Sequence, residues 1–527
     1  MNLDDGLRRF GFEAFRPGQR EAMESLLDDG RLLLVAPTGG GKSLVYQLPA
    51  SLLPGTTVVV SPLIALMHDQ IQALTERGIP ATYLASTLEG DEVRDRMRRM
   101  AAGEYKLVYV APERLAYGGF RGLLDAIDCP LIAIDEAHCI SEWGHDFRPD
   151  YMQIGDLLRA LPHARVLACT ATATPVVRDE ILSRLGLPAE TPQVVRGFAR
   201  PELHLRAVEV MGASDRRQRT DLMLAEALGE SSSPAGAAII YGPTRKSTEQ
   251  ECARLRKRGW NAEHYHAGME PHERRRVSDT FARGSTDVVV ATNAFGMGID
   301  RADVRAVIHL APPGSIEAYY QEVGRAGRDG ETAFGLLLAS TQDLPRRRSL
   351  LERDGADPEI VEHKWGLFLE LMRWVEGGSC RHDAILRYFD AEEAEGARGC
   401  GHCDVCTSMA SDGEAGEEVE LIVRKALSGV ARVHRRFGLT LAAKLLRGDA
   451  DERLEWSGLD RVSTFGVLEG RTEEWLVRLL RRCVTAGWVD FTGGDRPLVR
   501  LTAAGQEGMM GERPARLLLP SAAVPRA

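Results

Sequence analysis

The sequence has 527 residues, which is too long for one ordinary hydrophobic core and predicts three or four domains. Hydrophobic residues make up 44% and charged residues 27%, a composition typical of globular proteins that excludes a disordered chain. The net charge of -10 excludes overall basic character, so local patches must hold any nucleic acid. The first residues lack a signal-peptide pattern, and no apolar run approaches membrane-spanning length. We therefore expect a cytoplasmic protein with no membrane partner.

The first informative segment is Phe-Arg-Pro-Gly-Gln at residues 15–19, which we expect to begin a helix that runs to Leu27. A glutamine amide offers both a donor and an acceptor, so Gln19 is suited to the edge of an adenine. Taken alone this signal is weak, because Arg16 and Gln19 are equally well explained as surface residues.

A glycine-rich loop follows, between a predicted strand at 31–35 and a helix that starts at Ser43 and is interrupted by Pro49. Three consecutive glycines let backbone N–H groups turn toward phosphate oxygens at the positive end of the helix dipole. In such a loop the lysine reaches the outer phosphates and the serine hydroxyl binds Mg²⁺. Ala36 replaces the first glycine of the pattern, and an ordinary strand-to-helix turn is the alternative. The predicted phosphate site comprises Thr38, Gly39, Gly40, Gly41, Lys42 and Ser43.

Buried strands at 56–61, 105–110 and 131–134 alternate with helical patterns, which predicts a parallel sheet with ligands at the carboxyl ends of its strands. Asp135 and Glu136 follow the last of these strands directly. Here Asp135 is suited to hold Mg²⁺ through water, and Glu136 to align or deprotonate an attacking water. Alone, such a pair usually begins a loop. Beside a phosphate-binding loop it indicates a hydrolase.

Residues 139–149 form a loop rich in aromatic and basic side chains. Such side chains stack on unpaired bases while they contact phosphates, which predicts a single-stranded nucleic-acid site. The alternative is aromatic packing beneath the first lobe. The residues concerned are Trp143, His145, Phe147 and Arg148.

Together, residues 15–19, 37–43, 61–66 and 135–138 with the aromatic loop behind them resemble the RecQ family of superfamily 2 DNA helicases. The resemblance extends over about residues 1 to 510. It implies that Arg16 and Gln19 bind adenine, with Phe12 stacking on the base, and that the aromatic loop couples single-stranded DNA to ATP hydrolysis. In that family the first position of the phosphate loop is often not glycine, as at Ala36.

A second lobe is expected after the connecting segment 196–201, because strands recur at 237–241, 288–292 and 307–310 without a second phosphate loop. Arg325 and Arg328 are three apart, so both side chains are expected to face the interlobe cleft from one side of a helical turn. Guanidinium groups there would neutralise charge on the γ-phosphate. Surface ion pairs are the alternative, and the resemblance implies an arginine finger and a phosphate sensor. The predicted lobes span 1–200 and 201–343.

Three cysteines within seven residues, with one more upstream, predict a structural zinc site in a helical module at 344–412. Four thiolates satisfy tetrahedral Zn²⁺ and leave no open position for catalysis. His402 is a rival ligand, and a disulfide set is the weaker alternative. The predicted ligands are Cys380, Cys400, Cys403 and Cys406. The other five cysteines are expected to be core side chains.

Residues 413–510 read as helices at 419–435, 440–446 and 473–486 followed by strands at 488–491 and 497–501, a winged-helix pattern that the resemblance supports. Arg432, Arg435 and Arg461 are candidates for duplex phosphates. A structural or protein-binding winged helix is the alternative. Prolines and alanines predict a loose tail at 511–527.

The expected fold is α/β, with two RecA-like lobes, a zinc module and a winged helix. The expected function is an ATP- and Mg²⁺-dependent 3′ to 5′ DNA helicase of recombination and repair, with the polarity implied by the resemblance alone. Its partners would be single-stranded and duplex DNA, a single-strand-binding protein and other repair proteins, in association with the nucleoid. Alternatives are an RNA or RNA–DNA remodeller, and a zinc-bearing DNA-binding or annealing platform with ATP-gated release.

Overall fold

A computed structural model of the protein describes residues 2–62, 64–124, 127–142, 144, 147–296, 301–340, 342–352, 357–391, 399–411, 415–491, 498–515 and 517–520. It contains two parallel sheets, a helical segment with clustered cysteines and a C-terminal helical domain with a two-stranded hairpin. Among the helices in these ranges, none is long and apolar enough to cross a membrane.

The first lobe is built on a seven-stranded sheet. Its strands are β1 (Arg31–Val35), β2 (Thr57–Val60), β3 (Ala81–Leu84), β4 (Leu107–Val110), β5 (Leu131–Ile134), β6 (Arg165–Thr170) and β7 (Gln193–Val195). All neighbours are parallel, in the order β3-β4-β2-β5-β6-β1-β7. Every residue of β2, β4 and β5 is buried, as expected for a sheet covered on both faces. The strand ends therefore meet at one edge.

Helices cover both faces of this sheet: α1 (Leu3–Arg9), α2 (Gln19–Asp29), α3 (Lys42–Leu52), α4 (Ile64–Glu76), α5 (Gly90–Ala101), α6 (Gly118–Leu124), α7 (Ile154–Ala160) and α8 (Pro175–Leu185). The predicted interruption at Pro49 does not occur, because α3 continues for three residues beyond it. Pro49 gives up one backbone hydrogen bond but is itself buried, and its carbonyl accepts from Leu53 N at 2.9 Å. Packing on the core outweighs the missing donor.

The second lobe repeats the alternation on a six-stranded sheet. Its elements are β8 (Leu203–Glu209), α9 (Ala213–Leu228), β9 (Ala237–Tyr241), α10 (Arg245–Lys257), β10 (Ala262–Tyr265), α11 (Pro271–Ala282), β11 (Val288–Ala291), β12 (Val304–His309), α12 (Ile316–Val323) and β13 (Ala333–Ala339). The order is β10-β11-β9-β12-β13-β8, again all parallel. Residues 196–202 connect β7 to β8 and thus join the two sheets.

The cysteine-bearing module consists of α13 (Asp343–Leu351), α14 (Pro358–Glu376), α15 (Arg381–Phe389) and α16 (Asp404–Ser411). It docks on β8, the edge strand of the second sheet. The Asp404 carboxylate accepts from the Ala207 N–H at 3.0 Å and pairs with the buried Arg381 at 2.9 Å. His382 Nε2 lies 2.8 Å from the Leu203 carbonyl. The module therefore covers a sheet edge that would otherwise expose unpaired backbone groups.

The C-terminal domain contains α17 (Ala415–Val433), α18 (Leu439–Arg447), α19 (Glu452–Trp456), α20 (Glu473–Thr485), an antiparallel hairpin of β14 (Val489–Phe491) and β15 (Val499–Leu501), and α21 (Ala503–Met510). Its core combines residues of α17, α18 and α20 with one residue from each hairpin strand, Val489 and Val499. This helices-then-hairpin order is the one that the sequence predicts, with α19 and α21 as additions.

The predicted loose tail differs from what the structure shows up to residue 520. Ala515 and Leu517 are buried in the core of the C-terminal domain. Leu518 N donates to the Gly378 carbonyl at 3.0 Å, and Trp475 Nε1 donates to the Pro520 carbonyl at 2.8 Å. The segment is packed because its few apolar residues complete the domain core, which the proline- and alanine-rich composition conceals.

Candidate nucleotide site and metal centre

The glycine-rich loop closes tightly between β1 and α3. Lys42 begins α3, and its Nζ lies inside the loop, donating to the carbonyls of Ala36 at 2.8 Å and Pro37 at 3.2 Å. Gly41 has a φ of 75°, and a Cβ there would fall 2.3 Å from Gln19 Nε2. Only glycine fits this position, because the backbone is left-handed and the adjacent side chain leaves no space.

The predicted adenine segment packs directly against this loop. Gln19 is buried at the start of α2, and its Nε2 donates to the Gly41 carbonyl at 3.1 Å. Its Oε1 accepts from Arg16 N at 2.8 Å, and the Arg16 guanidinium donates to the Gly39 carbonyl. Phe12 lies exposed in the turn after α1. The structure thus unites Arg16 and Gln19 with the phosphate loop, where a bound base would compete for the Gln19 amide.

The two acidic residues follow β5 at the same edge of the sheet. Asp135 is buried, and its Oδ1 accepts from Glu136 N at 3.0 Å and from the Cys169 thiol at 3.6 Å. Burial and the Glu136 carboxylate raise the pKa of Asp135 to about 6, against the opposing effect of the Lys42 ammonium. Glu136 has a positive φ of 49°, uncommon outside glycine and typical of functional loops.

These groups fit a magnesium nucleotide. A buried carboxylate whose pKa is raised lacks sufficient positive charge around it, and a hard divalent cation would supply it. The Asp135 carboxylate and the Ser43 hydroxyl, in the first turn of α3, are oxygen donors of the kind that Mg²⁺ prefers. Behind them, His138 Nδ1 lies 2.8 Å from Thr170 Oγ1 and 3.3 Å from Glu136 Oε2. This contact ties the acidic loop to the end of β6.

The two arginines lie in the turn that follows α12, not on the helix itself, which ends at Val323. Arg325 is buried, and its Nη2 lies 3.1 Å from where a Cβ on Gly296 would be. It also faces the Tyr241 hydroxyl at the end of β9; burial raises the pKa of Tyr241 to about 12 although Arg325 opposes this. We call residues 324–330 the arginine turn.

Arg328 reaches the first lobe. Its Cγ lies 3.5 Å and its Nε 3.6 Å from the Cβ position of Gly39 in the phosphate loop. Arg328 of the second lobe therefore lies against the phosphate loop of the first lobe. The position of Arg325 and Arg328 opposite Lys42 across a bound triphosphate stays a prediction. A triphosphate held by the loop would lie between charges supplied by both lobes.

The aromatic loop is described only in part, because Trp143 and His145 lie outside the described residues. Phe147 is 37% exposed, and Arg148 N donates to the Cys139 carbonyl at 2.8 Å. A 3-10 helix, Ala137–Ile140, links the acidic pair to this loop directly. An exposed phenylalanine so close to the hydrolytic residues is available to stack on a base.

The four predicted zinc ligands come together. The Sγ atoms of Cys380, Cys400, Cys403 and Cys406 all lie within 4.8 Å of one another. Backbone N–H groups approach three of these sulfurs: Cys400 N to Cys380 at 3.2 Å, Cys403 N to Cys400 at 3.3 Å and Cys406 N to Cys403 at 3.4 Å. Such donors stabilise thiolates, so the residues present fit a closed four-sulfur zinc site.

His402, the rival ligand, lies beside this cluster and not in the four-thiol group. Its Nδ1 is 2.7 Å from the Cys400 carbonyl, and its ring packs near those of His204 and His382. The other five cysteines are buried, as core side chains should be.

The three candidate duplex-contacting arginines are exposed on the C-terminal domain. Arg461 has 86% of its side chain exposed, with a long 3.6 Å ion pair to Asp460. Arg435 has a positive φ of 55°, and its N–H donates to the Val499 carbonyl at 2.7 Å. Arg432 and Arg435 therefore lie where α17 meets the hairpin, with their guanidinium groups toward solvent.

The segment between the lobes makes one contact with the arginine turn that the sequence motifs do not predict. Arg200, in the segment between the lobes, donates to the carbonyls of Gly324 at 3.3 Å and Ala326 at 2.7 Å. The sequence marks residues 196–201 only as a connector, because no spacing rule pairs an arginine with backbone carbonyls 124 residues away. The one feature of the sequence that could have indicated this contact is an aromatic residue, Phe198, between two arginines of the connecting segment.

Comparison with known proteins finds matches to most of the chain. Four family profiles match successive segments: DEAD/DEAH box helicase at 16–180, helicase conserved C-terminal domain at 220–330, RecQ zinc-binding at 341–407 and RQC domain at 415–524. The ATP-dependent DNA helicase RecQ of Bacillus subtilis is 37% identical over 506 residues, covering 95% of this chain and 82% of that protein. RecQ of Pasteurella multocida is 35% identical over 515 residues, covering 97% and 78%.

Solved structures share the fold at lower identity. Mycobacterium smegmatis helicase Lhr, bound to ssDNA and AMP-PNP, has a TM-score of 0.51 at 20% identity, covering 72% of this chain and 58% of that one. The DEAD-box helicase Mss116, bound to ssRNA and UDP-BeF, has a TM-score of 0.53 at 16% identity, covering 73% and 84%. With two parallel-sheet lobes, a four-cysteine module and an RQC domain in one order, and with these relatives along nearly its whole length, the chain belongs to the RecQ family of helicases.

Proposed function

We propose that the protein is an ATP-dependent DNA helicase that moves 3′ to 5′ along single-stranded DNA and unwinds duplexes in recombination and repair. The observation that supports this proposal is the approach of Arg328, in the second lobe, to Gly39 in the phosphate loop of the first. Hydrolysis between two lobes can be converted to motion because it changes how they are held together.

Each residue of the site has a role in this proposal. Lys42 and the loop N–H groups bind the outer phosphates, and Arg16 and Gln19 bind the adenine. Glu136 orients the attacking water and accepts its proton. Arg325 and Arg328 neutralise charge as the γ-phosphate leaves, a contribution of about 10³- to 10⁵-fold in comparable enzymes. Mg²⁺, held by Ser43 and Asp135, would stabilise the same charge when bound.

Coupling to DNA would run through the aromatic loop. The loop follows Glu136 after one 3-10 turn, and His138 connects this region to β6 through Thr170. A base stacked on Phe147, or on Trp143 or His145 of the same loop segment, would therefore change the position of the acidic pair. Arg432, Arg435 and Arg461 would hold the duplex ahead through its phosphates. We also propose nucleoid association and cooperation with a single-strand-binding protein, because unwinding exposes single strands.

The decisive experiment is unwinding of duplexes with a 3′ tail, a 5′ tail or no tail, with and without ATP. ATP-dependent separation of the 3′-tailed duplex alone is expected. Preference for the 5′ tail would refute the polarity. Strand annealing that is unaffected by ATP, with no unwinding, would refute the helicase and favour a binding platform. ATPase stimulation by single-stranded RNA equal to that by DNA would instead favour an RNA or RNA–DNA remodeller.

A further inference from the structure

The connector, residues 196–202, contacts the nucleotide site of both lobes. In its first half, Arg196 N donates to the Val35 carbonyl at 3.1 Å, at the end of the strand that leads into the phosphate loop. Gly197 follows with a φ of 81°, and a Cβ there would lie 3.5 Å from Pro37 Cδ. This end of the connector therefore lies against the phosphate loop.

The second half of the connector holds the arginine turn. Phe198 stacks on Tyr320 of α12 with ring centroids 5.5 Å apart, and the Tyr320 hydroxyl donates to the Phe198 carbonyl at 2.8 Å. Two residues later, Arg200 donates one guanidinium N–H to Gly324 and another to Ala326. These two carbonyls belong to the residues on either side of Arg325.

Arg200 is itself fixed. Only 11% of its side chain is exposed, and it forms an ion pair with Glu202. The aliphatic part of Glu202 approaches the turn as well, because its Cγ lies 3.0 Å from the Cβ position of Gly327. A planar guanidinium with two parallel donors can grip both carbonyls together, whereas a lysine ammonium is a point charge with no such fork.

We propose that Arg200 is a positioning residue, which fixes the backbone on both sides of Arg325 and so sets that side chain relative to the phosphate loop. The proposal rests on the proposed function, in which Arg325 stabilises the departing γ-phosphate. It assigns to the connector a task beyond joining the lobes. Since Arg200 does not reach the nucleotide, its loss should reduce turnover and leave nucleotide binding intact. A displacement of about 1 Å at a reacting centre costs on the order of 10²-fold.

The test uses the full chain with Arg200→Gln and Arg200→Lys. The control is Arg206→Gln, which removes a half-buried arginine of the same lobe that pairs with Glu226 and has 32% of its side chain exposed. DNA-stimulated kcat and KM for ATP are measured, together with the affinities for ADP and for ADP with aluminium fluoride. For Arg200→Gln we expect kcat to fall about 30- to 100-fold with ADP affinity unchanged and aluminium fluoride affinity reduced in parallel. Arg200→Lys should lose less activity than Arg200→Gln. The control Arg206→Gln should show no loss of kcat.

A kcat of Arg200→Gln within threefold of the wild type would overturn the proposal. The proposal would also be overturned if Arg200→Gln lost ADP affinity and thermal stability along with kcat, because such a pattern indicates a purely structural role. If Arg200→Gln fails to fold, Arg200→Lys and Glu202→Gln decide, because both are more conservative changes to the connector and should lower kcat in the same selective way. Arg325→Ala is measured in parallel. Full turnover in Arg325→Ala refutes the proposed role of Arg325. Loss of turnover in Arg325→Ala, together with normal turnover in Arg200→Gln, refutes only the positioning role of Arg200.

Discussion

The two lobes are built on the same kind of parallel sheet but bring different chemistry to the nucleotide. In the first lobe, Lys42 and Gln19 each donate to a carbonyl of the phosphate loop, that of Ala36 at 2.8 Å and that of Gly41 at 3.1 Å. The second lobe offers Arg325 and Arg328 on a turn that gains its place from the connector. In the proposed function, nucleotide binding is thus local to the first lobe, whereas catalysis depends on how the two lobes are joined.

This difference explains how a motor can release its product without losing its nucleotide-binding fold. A self-contained pocket keeps its shape when the lobes separate, but an arginine pair held across the cleft does not. Lys42→Ala and Arg325→Ala test this contrast directly, and substitutions in the zinc module and in the C-terminal domain are expected to have smaller effects.

Lys42→Ala should have the largest effect, because it removes the positive charge inside the phosphate loop. We expect ATP turnover to fall below detection and ATP affinity to fall with it, while single-stranded DNA binding survives. Equilibrium nucleotide binding and DNA-stimulated phosphate release measure both effects. Lys106→Ala is the matched control, since Lys106 also donates to a backbone carbonyl, that of Leu53 at 2.8 Å. Lys106 precedes β4 and therefore lies at the amino ends of the strands, away from the phosphate loop at their carboxyl ends. Persistent DNA-stimulated hydrolysis in Lys42→Ala would contradict the site.

Arg325→Ala should distinguish the contribution of the second lobe to turnover from that of the first lobe to nucleotide binding. Because Arg325 belongs to the second lobe, we expect kcat to fall about 10³-fold while the affinity for ADP stays within a few-fold of wild type. Steady-state kinetics with fluorescent ADP titration measures this, with Arg206→Ala as the control. An equal loss of ADP affinity would show that the second lobe also builds the binding pocket, and the contrast between the lobes would fail.

Cys403→Ser tests the zinc module, whose contacts with the second sheet run through β8. Zinc affinity should fall more than about 100-fold, since one of four thiolates is lost. Hydrogen exchange should then increase in β8, which loses the Asp404 and His382 contacts, before it increases in β1. Cys252→Ala, at a buried thiol outside the cluster, controls for the loss of core volume. Retained zinc, or equal exchange in both strands, would contradict this order.

The sequence predicted the parts whose chemistry is local. A phosphate loop, a carboxylate pair after a strand and three cysteines within seven residues each have a geometry that follows from their spacing. The fold brings the members of each group close to one another, as expected. Most of the buried strands were predicted for the same reason, because they are continuous apolar runs of four to six residues. The strand β13 (Ala333–Ala339), which is almost entirely buried, was not predicted.

What escaped prediction depends on contacts between distant residues. Arg325 and Arg328 lie after α12 and not on it, in a turn whose Gly324 and Ala326 carbonyls accept hydrogen bonds from Arg200. Leu517 packs in a core assembled from α17, α18, α19, α20 and both hairpin strands. The edge strands β8 and β10 carry polar residues among their apolar ones, His204 and Arg206 in β8 and Glu263 and His264 in β10, and they were not predicted. None of these features has a signal within a single window of sequence.

The smallest effect is expected from the C-terminal domain, which lies outside the comparison of the lobes. Arg461→Ala, and separately Arg432→Ala, should weaken duplex binding uniformly across sequences and leave ATP affinity unchanged, because these exposed side chains would contact only phosphates. Each should reduce the slope of log affinity against log salt by about 1. Arg453→Ala is the control, since Arg453 is exposed in the same domain but already pairs with Asp451 at 2.9 Å. A changed sequence preference would instead mean that the arginine reads bases, and an unchanged salt slope would mean that this face does not carry the duplex.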